Sequence, residues 1–189
     1  MKKIAIFSSG NGSNAENIIK YFKQNNKIKI ELILSNRSGA NVLNRAKNHN
    51  ITTFVFTKNS LNKGSVLKEL NMKKIDFIVL AGFLLKIPEA IISCYKYKIV
   101  NIHPSLLPLY GGKGMYGIHV HKKVFEAKEN KSGITIHFVN KKYDEGAVIF
   151  QAQCPIDSRM QPKDIQKKVH KLEMKFFPRI IENLVDGKN

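Results

Sequence analysis

Asn101 and His103 stand two residues apart in the run Lys98-Ile99-Val100-Asn101-Ile102-His103, which ends at Pro104. Strand alternation turns both side chains to the same face. The C-terminal end of a parallel strand is where ligands of open α/β sheets bind. An amide N–H and an imidazole at that edge can stabilise a developing oxyanion and move a proton. A hydrogen-bonded core histidine is the other use of a lone His103. Asn101 beside it, and Pro104 and Pro108 fixing the exit of the chain, favour chemistry.

Two further segments carry residues of the right types. Ser9-Gly10-Asn11-Gly12-Ser13-Asn14 precedes a helical pattern. Its glycines allow a sharp turn and close approach to a ligand. The helix N-terminus that follows suits a phosphate. A tight turn capped by Ser13 or Asn14 accounts for the same residues. The spacing fits neither the G-x-G-x-x-G fingerprint nor a P-loop, so a phosphate monoester is expected rather than a dinucleotide or a nucleoside triphosphate. Tyr143-Asp144-Glu145-Gly146 is ordinary turn chemistry, but Asp144 in that loop is also placed to orient His103.

These residues need a scaffold, and the pattern supplies one. Short apolar runs at 3–8, 28–34, 51–56, 76–81 and 98–103 alternate with helical stretches through Ala15, Ile18, Ile19 and Phe22, near 40–48, and through Leu67 and Leu70. A short helix opens at Pro88. A glycine-rich loop, with Gly111, Gly112, Gly114 and Gly117, leads to a helix at 119–128. Residues 133–139 and 147–152 then alternate like strands, and a last helix over 162–184 carries the stripe Ile165, Val169, Leu172, Phe176, Ile180 and Leu184. The expected fold is a single-domain α/β structure. It has a mostly parallel twisted sheet, helices on both faces, and an antiparallel or mixed C-terminal extension.

Bulk properties narrow the function. The chain has 189 residues, enough for one domain with a core. No apolar run approaches the roughly 20 residues of a membrane span, and the apolar stretch after Met1 is too short for a signal segment. Cys94 and Cys154 form no C-x-x-C pair and read as free thiols. A cytoplasmic location with no membrane partner is expected. The net charge is +18, yet among the 32 basic residues only Arg37, Arg45, Arg159 and Arg179 are arginine, and the lysines are spread along the chain. We read a solvated lysine-rich surface with no nucleic-acid partner, one that draws in anionic substrates. His119 and His121 form an H-x-H pair without supporting Cys or carboxylate spacing, so no metal is expected. His49 and His170 lie outside any motif and read as surface or capping residues.

The combination of Gly10-Asn11-Gly12-Ser13-Asn14, Asn101-Ile102-His103-Pro104-Ser105-Leu106-Leu107-Pro108, His137-Phe138-Val139 and Asp144-Glu145-Gly146 resembles the folate-dependent phosphoribosylglycinamide formyltransferases over nearly the whole chain. The resemblance implies a Rossmann-like formyltransferase fold. It implies formyl transfer from 10-formyltetrahydrofolate to the amine of glycinamide ribonucleotide, with no metal and no covalent enzyme intermediate. It assigns Asn101, His103 and Asp144 to catalysis. Gly12, Ser13, Asn14 and Glu173 are assigned to the ribonucleotide, and Phe83, Leu84, Leu85, Lys86 and Ile87, with Asn101, to the folate. Thr135 and His137 are assigned to support. The expected partners are these two small molecules, with the chain a monomer or weak homodimer. We divide the single domain, 1–189, into a phosphate- and ribonucleotide-binding half over 1–100 and a catalytic and folate-binding half over 101–189. Asp144 is expected to raise the pKa of His103 by favouring the imidazolium.

Some features depart from the family pattern. Leu85 stands where an Arg is common, with Lys86 one position off. The loop over 110–117 is longer and richer in glycine than in many members. Relatives acting on initiator methionyl-tRNA carry a further C-terminal domain, and formyltetrahydrofolate hydrolases carry an N-terminal regulatory domain. We read neither in this chain. A basic nucleic-acid-binding domain is the rival of a different class, and the charge alone supports it.

Overall fold

The computed structural model describes residues 1–187. Seven strands form one sheet: β1 (Lys2–Phe7), β2 (Ile28–Ser35), β3 (Thr52–Val55), β4 (Phe77–Leu80), β5 (Ile99–His103), β6 (Lys131–Phe138) and β7 (Val148–Pro155). Their order is β3-β2-β1-β4-β5-β6-β7. The first five are parallel; β6 runs antiparallel to β5, and β7 antiparallel to β6. The expected fold class and its mixed C-terminal extension are both present.

Alternation along the parallel strands feeds two cores. Ile4, Ile6, Val79 and Val100 face α1 (Ser13–Phe22), α2 (Asn41–Asn48) and α7 (Pro162–Asp186), with Val124 of α6 (Ile118–Glu126). Ala5, Phe7, Ile78 and Ile99 face the other way, against α3 (Lys58–Asn62), α4 (Ser65–Met72) and α5 (Glu89–Cys94). Burial on both faces is why these strands read as continuous apolar runs. Helix α3, closed by a Thr57–Ser60 capping box, has too few apolar positions to show periodicity and was not expected. Pro88 sits at the cap of α5 rather than inside its first turn. Helix α7 keeps its stripe in spite of Pro178 in its interior; Pro178 is itself buried.

Strand order sets the place for a ligand. From β1 the chain winds outward to β2 and β3, then returns to lay β4 on the other side of β1. The connections therefore diverge above β1 and β4, leaving a crevice at their carboxyl ends.

Candidate active site

A cavity of about 800 Å³ opens there. One wall is the loop after β1. Gly12 occupies the cap position of α1 at φ 76°, and no side chain caps the helix. The first N–H groups of α1 are thus left for a ligand. The Ser/Asn cap that sequence allowed is not formed. A Cβ on Gly12 would lie 2.5 Å from Val42 Cβ, so glycine is required both for the left-handed backbone and for the approach of α2.

The opposite wall follows β4. Ser9 N–H donates to the Gly82 carbonyl at 3.0 Å, and Leu84 N–H donates to Ser9 Oγ at 3.0 Å. Ser9 Oγ in turn donates to Asn36 Oδ1 at 2.6 Å. Ser9 therefore ties the two walls together, a role sequence reading missed because the residue lies just before the glycine motif. Of the six residues expected to meet the folate, Phe83, Leu84 and Asn101 line the cavity. Leu85, Lys86 and Ile87 do not. Ile87 is buried in the second core, Leu85 packs against that core, and Lys86 is exposed.

Asn101, His103 and Asp144 come together at the cavity floor. The antiparallel register pairs Asn101 with His137 and His103 with Thr135. His137 Nδ1 lies 2.8 Å from the Phe138 carbonyl, which places a proton on that nitrogen. Nε2 of the same ring lies 3.1 Å from Asn101 Nδ2, which donates to it. This orients the Asn101 amide with its nitrogen toward His137 and Asp144, whose Oδ1 is 3.5 Å away. Thr135, fully buried, donates to the Ser105 carbonyl at 2.7 Å and accepts from Leu107 N–H at 2.9 Å. It holds the turn that follows His103. Both expected supporting residues thus contact the machinery or its frame.

His103 is 3% exposed. Its Nε2 donates to the Tyr110 carbonyl at 2.8 Å, and its Nδ1 is 3.5 Å from Asp144 Oδ2. Burial lowers the His103 pKa and outweighs the raising effects of the Asp144 charge and the Tyr110 carbonyl. The expected net rise is therefore corrected: the carboxylate acts in the direction foreseen, but desolvation of a ring shut away from water is larger. Asp144 takes a left-handed backbone, φ 55°, and accepts from Gly112 N–H at 2.8 Å. Burial would raise its carboxyl; His137, His103 and the Gly112 N–H together hold it below the usual range.

Glu173 reaches the cavity from α7 and bridges to the first turn of α1. Its Oε2 accepts from Asn14 Nδ2 at 2.9 Å and from His170 Nδ1 at 2.8 Å. That bond raises the His170 pKa. His170 is therefore not the uncommitted surface residue expected from sequence. His121 also lines the cavity. It is 2% exposed, burial pushes its pKa down to about 4, and its Nδ1 has no hydrogen-bond partner. His170 has no local motif and His121 only the H-x-H pair with His119; the packing of α6 and α7 over the sheet brings both to the cavity. Among the described residues no group of three or more His, Cys, Asp or Glu is placed to hold a metal. None of the described helices is long and apolar enough to cross a membrane.

Comparison with known proteins identifies the family of the chain. A family model described as formyl transferase matches residues 2–181. The phosphoribosylglycinamide formyltransferase of Bacillus subtilis (strain 168) is 35% identical over 195 residues, covering 100% of this chain and 97% of its own. The chloroplastic phosphoribosylglycinamide formyltransferase of Arabidopsis thaliana is 34% identical over 187 residues, covering 95% of this chain and 64% of its own. The crystal structure of phosphoribosylglycinamide formyltransferase from Bacillus halodurans superposes with a TM-score of 0.89 at 30% identity, over 100% of this chain and 97% of that one. The corresponding protein of Anaplasma phagocytophilum gives a TM-score of 0.90 at 28% identity, over 99% of this chain and 88% of that one. The chain belongs to the formyl transferase family and, within it, to the phosphoribosylglycinamide formyltransferases.

Proposed function

We propose that the chain transfers the formyl group of 10-formyltetrahydrofolate to the amine of glycinamide ribonucleotide. The products are formylglycinamide ribonucleotide and tetrahydrofolate, in de novo purine (IMP) synthesis. The observation that carries this reading is the Asn101, His103 and Asp144 cluster, set between an uncapped helix N-terminus and the Gly82–Leu84 wall.

In this reading Gly12, Ser13 and Asn14 receive the phosphate, and Glu173 faces the ribose and amine. Phe83 and Leu84 border the folate. Neither ligand then belongs to one half of the chain: α7 closes the ribonucleotide site formed by residues 1–100, and the β4 wall contributes to the folate site.

The amine nitrogen attacks the formyl carbon, and negative charge builds on the formyl oxygen. Asn101 gives one amide N–H to His137 and directs the other toward Asp144 Oδ1 at 3.5 Å, a long contact that the formyl oxygen would replace. A preorganised donor of this kind is worth roughly 3–4 kcal/mol. His103 Nε2–H is held by the Tyr110 carbonyl, so Nδ1 is the nitrogen left to exchange a proton. Burial lowers the pKa of the ring in the unliganded protein, and an oxyanion beside it favours the protonated form. As the intermediate collapses, the amine proton departs toward the Asp144 side. The bond from formyl carbon to folate nitrogen breaks, and that nitrogen takes the proton held at His103 Nδ1, which the amine proton passed through Asp144 replaces, so that none is gained or lost overall.

We assign small molecules as the partners, since the site is a cavity of about 800 Å³, a size that suits them. A monomer or weak homodimer in the cytoplasm fits this chemistry and the two free thiols. Removing the acceptor phosphate tests the assignment. Glycinamide riboside should show a KM raised at least about 10²-fold with a smaller change in kcat, because the phosphate is held equally in ground and transition states. Equal KM values for the two acceptors would exclude a phosphate site at Gly12–Asn14.

A further inference from the structure

Glu16 lies in the first turn of α1, directly behind the N–H groups that face the cavity. A carboxylate there repels a phosphate dianion and competes for the positive end of the helix. Arg45, on α2, meets this acid: its Nη1 hydrogen-bonds Glu16 Oε2. The same guanidinium donates from Nε to the Asn11 carbonyl at 2.9 Å and from Nη2 to Asn11 Oδ1 at 3.3 Å. Asn41 Nδ2 also reaches Asn11 Oδ1, at 2.9 Å, and Val42 N–H donates to the Gly10 carbonyl at 3.2 Å. Helix α2 therefore grips the loop at Gly10 and Asn11, and Arg45 alone joins the loop, α2 and the acid of α1. Its side chain is one quarter exposed, so these contacts are partly screened from water. Lys20 Nζ at 3.5 Å and His49 Nε2 at 3.6 Å are the other groups facing Glu16, both on Oε1.

We infer that Arg45 is a positioning residue for the acceptor phosphate: it braces the Gly10–Asn14 loop through Asn11 and neutralises Glu16, leaving the N-terminus of α1 unopposed toward the dianion. This rests on the proposed function only in identifying the phosphate as that of the ribonucleotide. A lysine keeps the charge but cannot hold three acceptors, because it lacks the planar fork.

The test uses inorganic phosphate as the probe, both as a competitor of the ribonucleotide and as a stabiliser in thermal unfolding. Arg45→Ala should raise the ribonucleotide KM and the phosphate inhibition constant about tenfold, the scale of a lost charge-assisted hydrogen bond. The KM for the formyl folate and kcat should stay within about twofold. Adding Glu16→Gln to Arg45→Ala should recover at least about threefold of the phosphate affinity, because the repelling charge is gone. Arg45→Lys should fall between wild type and Arg45→Ala, and it serves as the readout if the alanine variant does not fold. Unchanged phosphate affinity in both Arg45 variants would overturn the inference. So would equal rises in both KM values, or no recovery with Glu16→Gln. Thermal stabilisation by phosphate needs no turnover. A wild type that transfers no formyl group yet loses phosphate stabilisation in the Arg45 variants would remove the proposed reaction and leave Arg45 standing.

Discussion

Asn101→Ala and His103→Ala are each expected to lower kcat at least about 10²-fold, the cost of removing one preorganised group from an oxyanion site. Asn101 has its amide oriented by His137 Nε2 at 3.1 Å, and that orientation is what makes it a donor already in place. His103 has almost no freedom: the Tyr110 carbonyl and the Asp144 carboxylate hold its two nitrogens. The two losses should be far from additive, since both groups serve one charge. Asn101 is partly exposed, so its alanine variant should fold normally. His103 is buried, and its loss leaves the Tyr110 carbonyl without this partner, so His103→Asn accompanies the alanine variant. Single-turnover rates with melting curves separate chemistry from folding. Near-wild-type turnover in either folded variant would refute the mechanism.

Asp144→Asn should slow turnover by about 10- to 10²-fold and move the pH profile. The sign follows from the geometry. Asp144 raises the His103 pKa against a larger burial effect, so removing its charge lowers that pKa further. Activity that needs a protonated His103 is lost as pH rises through that pKa, so this limb of the kcat profile should shift to lower pH. The Gly112 N–H retains an oxygen acceptor in the variant, which keeps the loop in place. A slowed enzyme with an unmoved limb would mean that Asp144 does not act through His103.

Much of this was legible in the residues. Alternation in the run 98–103 put Asn101 and His103 on one face, and β5 does so with His103 at its end. The buried runs and the intervening helices implied the parallel sheet. What sequence could not supply were distances set by register and packing. The pairing of Asn101 with His137 depends on a β5–β6 register that no local motif encodes. The depression of the His103 pKa depends on burial, and a sequence reveals the neighbouring acid but not the missing water. His121 and His170 enter through helices packed over the sheet from afar, so isolated positions became cavity walls. The folate stretch shows the converse limit: Leu85, Lys86 and Ile87 follow two lining residues in sequence, yet Leu85 and Ile87 are taken up by the second core and none of the three lines the cavity.

The most direct measurement is steady-state release of folate from 10-formyltetrahydrofolate, followed by absorbance with and without glycinamide ribonucleotide. Folate release that requires the ribonucleotide, with one formyl group gained on the ribonucleotide for each folate released, is the predicted result. Release at the same rate without the ribonucleotide, or no release in its presence, would contradict the account.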